Sequence, residues 1–278
     1  MIAHPGILDV SRELARQVAA LLRAERRRRG TRTGTRALTC FWQAVLGLRW
    51  FRDHTAAERL GRDHRISRAT SYRYLDEVIE VLAEQAPQLH HALRQAHEQG
   101  MTHVILDGTV ITTDRLNEKT TSVQGKTIDR WYSGKARTHG GNIQAVSTPN
   151  GFPLWVSDVE PGCTHDLTAA REHVLPALYA AASQGLPTLA DAGYDGTHIG
   201  VHTPIKQPAG NQVLDADNRT YNTLLRSMRS LGERGFALLT QRWRALRHIT
   251  TSPRKTGSII QAALTLTHLE HRTTSSGR

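Results

Sequence analysis

Two short stretches place a carboxylate where an apolar run has just ended. In THVILDGTV, residues 102–110, Asp107 follows Val104, Ile105 and Leu106; in PTLADAGYDG, residues 187–196, Asp191 follows Leu189 and Ala190. Acids at the carboxyl ends of buried strands stand where active sites of open α/β sheets tend to lie. If the two strands are neighbours, the carboxylates converge, and such a pair resists joint ionisation unless a cation sits between its members. Magnesium suits that role, because it takes hard oxygen ligands and usually only one or two protein carboxylates. The third acid of the set is expected from the last helical stretch, where Glu233 stands in the glycine-flanked segment LGERGF.

Other groups fit less well. Asp166 in THDLTAAR opens a helical segment, where the helix dipole favours an acid, and it is read as structural rather than catalytic. Asp195 before Gly196 reads as a turn residue. LDGT also resembles part of the D-x-D-G-T motif of haloacid dehalogenase-type phosphatases, but their nucleophile would fall at Ile105, which cannot attack phosphorus. Cys163 has His165 and His173 nearby, without the ligand spacing of a structural zinc site. Lys135, Arg137 and His139 form a polar loop before a strand; contact with DNA and simple solvation are both open readings for it.

The elements that must carry these residues change character near residue 100. Before it, the chain reads as helices. Leu14, Val18, Leu21 and Leu22 make one stripe on a helix that ends in RAERRRRGTRTGTR, a basic run that suits either phosphate contact or a flexible arm. Thr55 and Glu58 have the spacing of a capping box, and a short helix is expected to stop near Gly61. Ser67 is placed to cap a further helix with Leu75, Val78, Ile79 and Leu82 as its core stripe. Two helices joined by a polar turn make a helix-turn-helix near 54–83. The start of its second helix displays Arg68, Thr70, Ser71 and Arg73, the residue types that reach base edges and phosphates from the major groove.

After a helix over about 87–99, HVILDGTVI, DRWYSG, GNIQAVST and FPLWVSDV read as strands, with PNG as a turn. One helix is expected over HDLTAAREHVLPALYAAASQG, then strands in LPTLADAGY and VHTPIKQP, then a long helical stretch from Thr220 to Ile249 that Gly232 and Gly235 bend or break. The fold class that follows is α/β, a mixed sheet with helices on its faces after an all-helical domain. The expected division is 1–100 for the helical DNA-binding domain, 101–252 for the catalytic domain and 253–278 for a C-terminal helix and tail.

With 36 Lys and Arg against 25 Asp and Glu, the chain carries a formal charge of +11, which points to a polyanionic partner, nucleic acid first. No segment approaches the length of an apolar membrane span, and residues 1–20 lack the apolar core of a signal peptide, so a cytoplasmic protein with no membrane partner is expected. Cys40 and Cys163 lie far apart and supply no disulfide framework.

VILDGT, YSGKARTHGGNIQ, GCTHDLTAAR, TLADAGYDG and LGERGFALLTQRWRALRHIT, in that order, resemble the DDE transposases of bacterial insertion sequences, of the IS-five group related to Harbinger-type elements. The resemblance spans nearly the whole chain and includes the helix-turn-helix. It implies an RNase H-like sheet, with metal ligands at Asp107, Asp191 and Glu233, Asp107 bridging two divalent ions. It also implies magnesium as the cofactor with manganese able to substitute, double-stranded DNA as element ends and target, a homo-oligomer on DNA, and a nucleoid-associated place in a bacterial cytoplasm. Arg229 matches the basic residue that relatives carry four residues before the glutamate. Thr240 stands where they carry lysine, which passes a basic contact to Arg242 or Arg244. The rival reading is an inactive or domesticated relative that only binds DNA, against which the three acids argue.

Overall fold

The computed structural model describes residues 8–122, 124–208, 210 and 213–275. Helix α1 (Arg12–Arg28) starts where the Ser11 hydroxyl accepts from the amide of Leu14. It buries Leu14, Val18 and Leu22 along one side, as their spacing predicts. Helix α2 (Cys40–Asp53) is capped by Thr39. Then α3 (Ala57–Asp63) and α4 (Arg68–Ala83) follow, joined by residues 64–67, and Ser67 caps α4 by accepting from the Thr70 amide at 3.1 Å. The expected capping box at Thr55 does not form. Ala56 takes the N-cap position with no side-chain bond, and Glu58 pairs instead with Arg62, one turn along the same face.

Helix α5 (Leu89–Glu98) ends before Gly100, whose φ of +70° turns the chain toward β1 (Val104–Thr112). β2 (Lys119–Thr121) and β3 (Thr127–Asp129) form their own hairpin, so DRWYSG is not one strand but the end of β3 followed by β4 (Tyr132–Ser133). Next come β5 (Thr138–Ser147), β6 (Pro153–Val156) and β7 (Glu160–Pro161). The single helix expected after them is two, α6 (Asp166–His173) and α7 (Leu175–Ser183). Pro176 explains the break, since it has no N–H to continue the ladder and its ring clashes with the carbonyl four residues earlier in a continuous helix. β8 (Thr188–Leu189) and β9 (Val201–His202) complete the sheet. The last helical stretch begins earlier than expected and is divided into α8 (Ala216–Arg229), α9 (Glu233–Arg242) and a 3-10 turn over Arg244–Arg247; α10 (Thr256–Ser275) follows.

These elements pack as two compact units, each discontinuous in sequence. A helical unit holds the chain up to Ala86 with Leu239–Arg247 and the chain from Ser258 onward; a sheet unit holds Pro87–Leu238 and His248–Gly257. Cuts near 100 and 252 therefore do not coincide with the packing, because α5 joins the sheet unit and most of α10 joins the helical one.

Within the helical unit, Trp243 packs edge-on against Phe51 at 6.3 Å and donates its indole N–H to Thr267 Oγ1 at 2.9 Å. Thr265 Oγ1 donates to the carbonyl of Leu82 at 2.9 Å. Part of the basic run that ends α1 is tied down within the helical unit. Arg28 and Arg29 both bond Glu25, Arg26 bonds Gln43 and the Leu38 carbonyl, and Arg36 bonds Glu77 at 2.7 Å. The two guanidiniums on Glu25 hold its carboxyl down to about 2.

In the sheet unit the strand order is β4-β5-β1-β8-β9, with β6 and β7 also pairing with β5. β1 runs antiparallel to β5 from Ile105↔Ser147 to Thr112↔Gly140 and parallel to β8 through Ile105↔Leu189. The expected mixed α/β arrangement is thus present. Leu106 and Val146 on one face join Leu93, Ala170, Val174 and Leu178 in the core, each large side chain contributing roughly 1.5–3 kcal/mol on burial. That core leaves the carboxyl ends of β1 and β8 to polar side chains.

Candidate active site

Strand register brings the first two acids together. Ile105 and Leu189 are paired across β1 and β8, and each is followed two residues later by an acid, Asp107 and Asp191. Neighbouring strands lie about 4.7–4.9 Å apart, so Asp107, within β1, and Asp191, just past β8, are carried by two adjacent strands. Asp191 also begins a 3-10 turn (Ala192–Tyr194), with its Oδ1 accepting from the Gly193 amide at 2.8 Å. That bond fixes one oxygen of the carboxylate and aims the group.

Glycine supplies the third approach. A Cβ on Gly232 would overlap Cγ2 of Ile105, and one on Gly235 would come to 2.5 Å from Ser147 Oγ; Ile105 and Ser147 are cross-strand partners. The break between α8 and α9 is therefore a seat, where bare backbone rests on the face that carries Asp107. Glu233, the first residue of α9, starts from that seat. Its side chain lies outside the described residues.

The opposite face of β1 holds a buried polar chain that sequence reading did not assemble. The point where Gly108 would carry a Cβ lies 2.6 Å from the Tyr194 hydroxyl, 2.8 Å from Gln144 Nε2 and 2.9 Å from Asp166 Oδ1. Tyr194 donates to Gln144 Oε1 at 2.6 Å, Gln144 Nε2 donates to Asn142 Oδ1 at 2.8 Å, and Asn142 Nδ2 donates to Asp166 Oδ1 at 2.9 Å. Lys135 Nζ closes the chain on Asp166 Oδ2 at 2.6 Å. Asp166 does open α6, and beyond the helix start its carboxylate also accepts from Asn142 and Lys135. The alternation Asn142, Gln144 on β5 opposite Gly108 was the available signal: two amides on the buried face of a strand need partners.

Burial pushes the Tyr194 phenol well up, helped by the charges of Asp166, Asp107 and Asp191 and opposed by that of Arg229. The phenol therefore stays neutral and able to donate. Lys135 is likewise raised, first by its hydrogen bond to Asp166 and then by the charges of Asp166, Asp191 and Asp107. A cavity of about 620 Å³ opens beside this cluster, lined by Gly108, Val110, Tyr132, Lys135, Asn142 and Asp166 among others.

The basic residues expected to meet DNA divide between the units. In the sheet unit, Lys135 and Arg137 are exposed on the loop before β5, Arg137 with φ +53°, and half-buried Arg229 ends α8. Asp195 is a surface turn residue paired with Lys206 at 2.7 Å. In the helical unit, Arg68 and Arg73 are exposed on the first turns of α4, Arg68 over the Tyr72 ring at 5.7 Å and Arg73 bonded to Thr70 Oγ1. Ser71 does not belong with them. It is fully buried, because the α4 stripe extends back through Tyr74 to Ser71, whose Cβ lies 3.5 Å from the point where Gly61 of α3 would carry one. Arg242 is committed to Glu270 and Asp9, which leaves Arg244 as the exposed arginine of the pair named for the basic contact.

Among the described residues no three His, Cys, Asp or Glu side chains are grouped to hold a metal ion. Asp107 and Asp191 offer two hard-oxygen donors carried by adjacent strands, the number magnesium usually takes from protein, and a lysine ammonium already lies in the field of these acids. The residues fit such an ion.

No helix among the described residues is long and apolar enough to cross a membrane. Residues 106–268, from the residue before Asp107 into α10, match the family model described as DDE superfamily endonuclease. Searches of curated proteins and of solved structures find no match.

Proposed function

The chain belongs to the DDE superfamily endonuclease family, and we propose that it is a transposase of the IS-five group, related to Harbinger-type elements, which binds the terminal repeats of its element and cleaves and transfers DNA strands. The observation that supports this reading is the pairing of Ile105 with Leu189, two residues before Asp107 and Asp191, together with the close approach of Gly232 to Ile105. We read the sheet as RNase H-like on the strength of that order of strands and acids.

Asp107, on the strand between β5 and β8, would hold divalent ions together with Asp191 and Glu233. When bound, two divalent ions, magnesium or manganese in its place, supply activation of a water or 3′-hydroxyl and stabilisation of the leaving oxygen. The protein's own work is positioning. Asp191 is held by the Gly193 amide, and Asp107 is fixed by the β1 ladder. Lys135, Arg137 and Arg229 bring positive charge to the phosphates around the scissile bond, a role for which they are suited by exposure or by nearness to Tyr194.

Helices α3 and α4, joined by the short turn 64–67, are read as the helix-turn-helix, with Arg68, Thr70 and Arg73 facing the duplex. Element ends and target are double-stranded DNA, and joining two ends calls for a homo-oligomer on that DNA. The working place of such a protein is the nucleoid of a bacterial cytoplasm.

The test is incubation of the purified protein with labelled DNA carrying the ends that flank its gene, with and without magnesium. Asp107→Ala, Asp191→Ala and Glu233→Ala are each expected to abolish cleavage, a loss of about 10³-fold or more, with binding of the ends retained. Wild-type cleavage by any one of them removes that residue from the ligand set.

A further inference from the structure

Lys135 is an exposed lysine on an almost buried acid. Its side chain is 72% exposed, that of Asp166 only 11%, and the two meet at 2.6 Å. The other oxygen of Asp166 is anchored through Asn142 and Gln144 to Tyr194, in the turn that Asp191 begins. Asp166 also faces Asp191. The point where Gly193 would carry a Cβ lies 2.9 Å from Asp191 Oδ1 and 3.8 Å from Asp166 Oδ2. The Lys135 ammonium thus sits on an acid that is fixed by a buried amide, with Asp191 and Asp107 close enough to raise its pKa further.

Such a pair has two competitors. A divalent cation competes with the ammonium for the charge of the acids, and a phosphodiester competes with Asp166 for the ammonium. Lysine is the side chain suited to such an exchange, being a point charge on a flexible stem with no fixed fork to disengage.

We propose that the Lys135–Asp166 ion pair is a latch: Lys135 neutralises the acids around it in the free protein, and a DNA phosphate draws it off, so that DNA and a divalent cation each favour binding of the other. The latch rests on the reading of Asp107 and Asp191 as metal ligands. Coupling of this kind is reciprocal, which makes it measurable from the cation side alone.

The experiment titrates Mn²⁺ into the full chain by electron paramagnetic resonance, with and without a short duplex of unrelated sequence, for the wild type, Lys135→Met, Lys135→Arg and Asp107→Asn. Thermal melting of each variant checks the fold, which an exposed lysine does not hold together. For the wild type, DNA is expected to tighten Mn²⁺ binding. Lys135→Met is expected to bind Mn²⁺ about three- to ten-fold more tightly than the wild type without DNA and to lose most of the increment DNA brings, whereas Lys135→Arg keeps it. Mn²⁺ binding that Asp107→Asn removes but Lys135→Met leaves unaltered overturns the latch alone. Absence of Mn²⁺ binding in every form overturns the metal reading and the latch with it.

Discussion

Tyr194 donates its hydroxyl to Gln144 at 2.6 Å, with both side chains fully buried, directly above Gly108. Tyr194→Phe leaves the Gln144 carbonyl oxygen without its donor in a site water does not reach. A loss of about 1–3 kcal/mol is expected, read as a lower denaturant midpoint at unchanged slope. Equal midpoints for the two proteins would mean that Gln144 finds another donor. Gly108→Ala should cost more than its single methyl suggests, since the Cβ lands within 3 Å of three polar atoms.

Gly232 and Ile105 form the second testable contact. Gly232→Ala drives a methyl into Cγ2 of Ile105 and is expected to destabilise by about 1–3 kcal/mol while lowering metal-dependent cleavage. Ile105→Ala in the same chain makes room, so the two changes should couple in a double-mutant cycle of unfolding free energies. Strict additivity would separate the glycine from the strand.

On α4, the exposed arginines and the buried serine make opposite forecasts. Arg68→Ala and Arg73→Ala are each expected to weaken binding to the element ends and to flatten the dependence of log K on log salt by about 0.9 for each phosphate that is no longer neutralised. Ser71→Ala should leave affinity unchanged, because its hydroxyl is enclosed between α3 and α4. Tight, salt-sensitive binding by the double arginine variant would move the reading surface away from α4.

Glu25 predicts an acid limb. Its folded pKa is held at about 2 by Arg28 and Arg29, below the ordinary 4.5. The stability this pairing adds is complete above about pH 4.5 and is lost as pH falls toward 2. Glu25→Gln should therefore be less stable than the wild type at neutral pH and lose less on acidification across that window. Parallel pH profiles from thermal melts would contradict the assignment.

What could be read in the sequence was local. Asp107 and Asp191 stood out because each ends an apolar run, and Ser67 because a cap acts within one turn. The helix over 165–185 was misjudged because Leu167, Ala170, Val174, Leu175 and Leu178 keep helical spacing across a break that Pro176 causes. The partners of Asp166 are hidden for a related reason: its place at the start of a helix offers a sufficient local explanation, while Lys135 and Asn142 stand 31 and 24 residues away. Ser71 was assigned by residue type, which says nothing of the side a helix turns toward α3. The seat of α9 was half visible. The glycines around Glu233 were noticed as breakers, whereas the backbone approach to Ile105 and Ser147 that requires them depends on a strand pairing set more than eighty positions earlier.

The helical unit has a consequence for how the protein comes into being. Leu82 and Phe51 emerge early in translation, but their partners Thr265 and Trp243 are added only after Pro87–Leu238, the main body of the sheet unit, has been synthesised. At ordinary elongation rates that interval is roughly ten to forty seconds. During it α1–α4 are finished as sequence and unfinished as a packed body, so the first part of the chain to be made is the last to be sealed.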